Sequence, residues 1–109
     1  MKFTLEKKEI SEALSLVASV AEKRQSIPVL SNILLKAEKE GLTLRATDLE
    51  IELTFKIPKI ELDSKGETTV SARKLADLVR SVPEDTVLTF ELLESQLEIS
   101  ALKFQADFS

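Results

Sequence analysis

Asp48 and Glu50 stand two residues apart in a stretch that reads as extended, which would set both carboxylates on one side of a strand, an arrangement suited to acid/base chemistry or to a hard cation. A plainer account fits the same residues. Asp after Thr47 is a common turn device, and Glu50 and Glu52 suit the wet side of a strand. Serines are plentiful, yet with no histidine and no nucleophile-elbow motif none has an activating partner. Gly41 and Gly66 are the two glycines, so no glycine-rich phosphate loop can form. The absence of cysteine removes disulfides and thiolate metal sites and fits a reducing compartment. The residues therefore point away from an enzyme, and neither a metal nor a cofactor is expected. More promising chemistry lies with cations: Arg73 and Arg80 flank Asp77 on the exposed side of a second helix, and Lys23 and Arg24 close a first one. Such side chains bind phosphates through charge and counterion release, without reading sequence. The same spacing also suits a salt-bridged helix surface, and both readings stay open on spacing alone.

The elements that carry these residues follow from hydrophobic periodicity. Residues 2–6 alternate as a short strand, and Lys7 to about Ala21 then places Ile10, Ala13, Leu14, Val17, Val20 and Ala21 on one helical face. Lys23 to Pro28 breaks that helix, because proline lacks an amide hydrogen and pushes its predecessor toward extended geometry. Strands are expected at 29–37 and 42–46, joined by Glu38-Lys39-Glu40-Gly41, in which glycine can take a positive φ. Leu49 to Ile57 alternates almost without fault, one side buried and one wet. Pro58 to Gly66 reads as a connection and Glu67 to Val70 as a strand. Ser71 is placed to cap a second helix whose expected buried stripe is Leu75, Leu78, Val79 and Val82, ended by Pro83. The last strands are expected at 87–92, 97–101 and 102–108.

This order of elements is written twice. Ile33/Leu88, Leu35/Phe90, Ala37/Leu92, Leu42/Leu97, Leu44/Ile99, Ala46/Ala101, Leu49/Phe104, Ile51/Ala106 and Leu53/Phe108 all pair at an offset of 55 residues. Upstream, Leu5/Val70, Ile10/Leu75, Ala13/Leu78, Leu14/Val79 and Val17/Val82 pair at 65, so ten extra residues fall within Ala18 to Asn32 of the first copy. Two copies imply a pseudo-two-fold unit and not a solenoid, which needs at least about three. The expectation is an α+β fold in one domain, 1–109, with repeats of about 1–60 and 61–109, helices in one layer and antiparallel sheets in the other. A chain of this length can bury roughly two-thirds of its unfolded surface without a staple. Its net charge of −4 argues against a wholly basic nucleic-acid binder, but the charge is unevenly spread. Glu84 to Glu98 holds Glu84, Asp85, Glu91, Glu94 and Glu98 with no cation, whereas Arg73, Lys74 and Arg80 face only Asp77, so positive charge is expected on helices and negative on strands. With no signal-peptide core and no run near the roughly 20 apolar residues of a membrane span, a soluble cytoplasmic protein without a membrane partner is expected.

Four segments together resemble the N-terminal domain of the bacterial DNA polymerase III beta sliding clamps: Met1 to Thr4, Ile27 to Leu35, Gly41 to Ile51 and Thr69 to Lys74. The likeness covers nearly the whole chain. It implies a DNA-clamp domain, from a family in which three such domains form a chain and two chains close head to tail around duplex DNA, helices inward and sheets outward. Carried over by motif, it implies non-specific phosphate contacts from Arg24 and Arg73, and with them Lys23, Lys74 and Arg80. The family's inter-chain edge maps onto the last strand and implies Leu102, Phe104 and Ala106 for self-association into a homo-oligomer. The family's Ser-Gly-basic-x-basic hairpin is replaced here by Ile99 to Gln105. The pocket for polymerase and clamp-loader peptides is implied in later domains. Two readings follow: an excised, engineered or minimised replication processivity domain that assembles into a ring, or a clamp-fold module that neither closes nor binds DNA.

Overall fold

A computed structural model describes residues 1–21, 32–47 and 51–103. In order these form β1 (Lys2–Glu6), α1 (Lys7–Ala21), β2 (Asn32–Glu38), β3 (Gly41–Thr47), β4 (Glu52–Ile57), β5 (Glu61–Ser64), β6 (Gly66–Ser71), α2 (Ala72–Ser81), β7 (Thr86–Leu93) and β8 (Gln96–Lys103). The strands make two antiparallel four-stranded sheets, β5-β1-β7-β8 and β4-β3-β2-β6. Alternation sets their inner faces. In β1, Phe3 and Leu5 are buried while Lys2, Thr4 and Glu6 are only partly so.

The repeat survives as register. Leu35 faces Leu44 in the β2–β3 hairpin, and Phe90 faces Ile99 in the β7–β8 hairpin, each partner displaced by the same 55 residues. The strand that leads into each helix, however, leaves its own hairpin and joins the other one. Leu5 of β1 sits opposite Leu88 of β7, and Val70 of β6 sits opposite Ile33 of β2. Neither sheet can therefore form from one unit alone. The pseudo-two-fold is an exchange of strands, which periodicity does not reveal.

The core lies between the two sheets and under the helices. Ile10, Ala13, Leu14 and Val17 of α1 recur at three- and four-residue spacing and are buried with Leu35, Leu42, Leu44, Leu88 and Phe90. Phe3 stacks on Phe90 with ring centroids 4.8 Å apart and planes 8° off parallel, joining the first strand to the second unit.

Three expectations are corrected. The 58–66 connection contains a strand, β5, whose Leu62 pairs opposite Phe3. Four residues are too few for alternation to announce a strand, and the open edge of β1 provides the hydrogen bonds that make one. The buried stripe of α2 is Ala72, Leu75, Ala76 and Val79; Leu78 is 38% exposed and Val82 lies at the C-cap. Two alanines let this helix approach closely, and that contact turns Leu78 outward. Strand β8 runs unbroken through Ala101 and Leu102 to Lys103, where a change of strand was expected.

Gly41 has φ +138, and a Cβ there would come within 2.4 Å of the Ile57 carbonyl oxygen. The β2–β3 hairpin thus needs glycine both for its conformation and for the close passage of the end of β4. In urea denaturation Phe90→Ala is expected to cost about 3–5 kcal/mol through lost burial and a residual cavity. Leu93→Ala, at a position already 43% exposed, should stay within about 0.5 kcal/mol.

Candidate nucleic-acid interface

Ser71 has φ −65 and ψ 123, still extended, and its hydroxyl accepts the Lys74 amide at 3.2 Å. This cap satisfies an amide the helix would otherwise leave open and fixes where α2 begins. With Ala72, Leu75, Ala76 and Val79 turned to the core, Arg73, Lys74, Asp77 and Arg80 are left on the exposed side. Arg80 pairs with Asp77 three residues earlier. Arg73 and Lys74 form no ion pair with the described residues. The structure therefore brings three of the expected phosphate-binding residues onto one short helix, two of them without an ion pair among the described residues. Lys23 and Arg24 lie outside the described residues.

The far end of α2 is held by a contact that sequence reasoning missed. Lys7, the first residue of α1, is buried, and its Nζ donates to the Val82 carbonyl at 2.7 Å and stands 3.7 Å from Glu84. A cation suits the negative end of a helix dipole, so Lys7 caps α2 and ties it to the start of α1. The one clue in the sequence was a lysine at the first position of its own helix, where the dipole disfavours it. Ser81 donates to the Leu78 carbonyl at 2.7 Å and satisfies another terminal acceptor.

Charge is divided less cleanly than composition suggested. Across the outer face of the β5-β1-β7-β8 sheet, Lys2 stands opposite Glu91, and Glu91 opposite Glu98, a like-charged neighbour. The other sheet exposes Lys36, Arg45 and Lys56, with Lys36 3.3 Å from Glu38 and Arg45 Nε donating to the Thr54 hydroxyl at 3.4 Å. The first sheet thus carries an acidic excess, whereas the second balances Lys36, Arg45 and Lys56 against Glu38, Glu52 and Glu67. The described exposed face of α1 carries Glu12 beside Lys8, so α2 alone is predominantly cationic.

The remaining expected residues divide in the same way. Leu102 is 72% exposed near the end of β8, whose outer edge meets no strand among the described residues, whereas Phe104 and Ala106 lie outside them. Asp48 and Glu50 also lie outside the described residues. Among the described residues no group of three or more His, Cys, Asp or Glu is placed to hold a metal. No described helix is long and apolar enough to cross a membrane.

Two helices and a strand-exchanged pair of antiparallel sheets define an α+β fold of the sliding-clamp class. The solved Caulobacter crescentus pol III beta superposes with a TM-score of 0.87 at 37% identity, over 94% of this chain and 28% of that one. The DNA polymerase III subunit beta from Pseudomonas aeruginosa gives 0.86 at 40% identity, over 93% and 27%. In sequence, the Beta sliding clamp of P. aeruginosa is 42% identical over 101 residues, 93% of this chain and 28% of the relative. That of Caulobacter vibrioides is 40% identical over 103 residues, 93% and 27%. Residues 1–109 match the family described as DNA polymerase III beta subunit, N-terminal domain, and the chain belongs to that family. It spans a little over a quarter, 27–28%, of the length of these relatives.

Ser71→Ala is expected to lower stability by about 1 kcal/mol through loss of the helix cap. Removing the Lys7 donor in Lys7→Met should cost about 1–3 kcal/mol, because the Val82 carbonyl loses its partner. Chemical denaturation checks both, with Lys8→Met at an exposed neighbouring position as the comparison. A loss at Lys7 no larger than that at Lys8 would refute the tether.

Proposed function

We propose that this chain serves as the N-terminal arc of a DNA sliding clamp, a non-catalytic processivity component that lies along duplex DNA in the cytoplasm and touches its phosphates without reading its bases. The single observation that carries this reading is α2. In a chain of net charge −4, Arg73 and Lys74 stand exposed on the first turn of a capped helix and form no ion pair among the described residues. Membership in a family whose relatives are named Beta sliding clamp supports the same reading. Arg24 and Lys23 join these two as phosphate contacts, and Arg80 contributes to the extent that Asp77 releases it.

Mobile, screened contacts of this type suit a protein that must stay on DNA yet move along it. Encirclement requires several arcs, and the edge of β8 that no described strand covers, with Leu102 and the following Phe104 and Ala106, is the surface through which one arc meets the next. Peptides of polymerase and clamp loader bind elsewhere in a complete clamp.

Two measurements test this. Fluorescence anisotropy with a labelled duplex should give a dissociation constant that weakens steeply with salt, and Arg73→Ala should reduce the slope of log K against log salt by about 0.9, the loss of one phosphate contact. A wild-type protein that leaves the duplex unshifted even at low salt would support the alternative of a clamp-fold module without DNA binding. Sedimentation equilibrium should show reversible self-association that Leu102→Lys abolishes; a monomer at every concentration would remove β8 from the assembly.

A further inference from the structure

Asp77 is a carboxylate set among the cations that the proposed DNA contact uses. Arg73, Asp77 and Arg80 follow one another at four and three residues, the spacings that make side chains neighbours along a helix, and Lys74 lies three residues before Asp77. Both members of the Asp77–Arg80 pair are well exposed, with side chains 59% and 71% accessible. An ion pair so wet contributes little to folding. Its charge acts mainly on whatever approaches α2.

Arg80 has a second environment within reach. It forms one wall of a small groove, about 80 Å³, between the two helices, lined also by Leu14, Ala76 and Val79 and by Ser11 and Ser15 of α1. Two hydroxyls and a guanidinium around one groove are donors that a phosphate oxygen can share. Asp77 competes for the same guanidinium, and its own charge repels a phosphate held by Arg73 or Lys74.

We propose that Asp77 is a tuning residue that weakens the grip of α2 on phosphates: it occupies Arg80 and so keeps that cation, and the groove beside it, from adding a phosphate contact. The inference rests on the DNA-binding reading above and adds to it a built-in counter-charge. A tight contact would stall movement along the duplex, and an ion pair that exchanges with phosphate is a graded way to prevent it.

Asp77→Asn should tighten binding to a labelled duplex at low salt by about fivefold, the factor for one unit charge at roughly 4 Å in water. It should also steepen the salt slope by as much as about 0.9, one further phosphate contact. Asp77→Glu should behave as wild type. Adding Arg80→Ala to Asp77→Asn should erase most of the gain, whereas Arg80→Ala alone should have a small effect. Circular dichroism confirms that α2 is intact, and Asp77→Ser gives the same loss of charge if the amide disturbs the helix. Unchanged affinity and slope in Asp77→Asn, with Arg73→Ala still weakening binding, would overturn the tuning role and leave the DNA reading standing. Failure of the wild type and of every variant to bind would overturn both.

Discussion

The fold depends on the crossing of the two strands that lead into its helices. β1 completes the sheet of the second hairpin and β6 completes the sheet of the first, so the backbone hydrogen bonds of each unit are satisfied only in the presence of the other. The Phe3–Phe90 stack and the Leu5–Leu88 pair seal one crossing, and Val70 against Ile33 seals the other. Without the first unit, the β7–β8 hairpin would stand alone, and an isolated hairpin is marginal in water; without the second, the β2-β3-β4 sheet would lose an edge partner. The exchange turns two weak halves into one layered body with a common core.

The helices inherit their positions from that crossing. Each follows its first strand without a connecting residue, β1 into α1 and β6 into α2, so placing the strand in the opposite sheet also fixes where the helix starts. Ser71 sets the first turn of α2, and Lys7, arriving from the start of α1, holds its last. With both ends fixed and alanines 72 and 76 pressed to the core, the orientation of Arg73, Lys74, Asp77 and Arg80 follows. A surface that could act on phosphates is thus the reverse side of a packing decision.

Much of this was legible before folding. The alternation of Leu42, Leu44 and Ala46, the helical spacing of Ile10, Ala13, Leu14 and Val17, the glycine in the first hairpin and the serine before the second helix are properties of short segments, and each appears where periodicity placed it. The four-residue β5 was not legible, because its cause is the open edge of β1 and not its own pattern. Leu78 misled because apolar character selects a helical face only to within about one residue step, or 100°, when small residues flank it. The burial of Lys7 was not legible either: its charge favours solvent, yet a carbonyl acceptor and a neighbouring carboxylate make burial tolerable.

By itself the sequence determined the kinds of element, most of their limits and the duplicated register, since periodicity and capping act over a few residues. Tertiary structure decided which strands pair, which side of α2 is wet and which of its cations is held by Asp77. Those outcomes turn on contacts between residues far apart in the chain, and no local pattern encodes the partner that a strand edge or a charged side chain will meet.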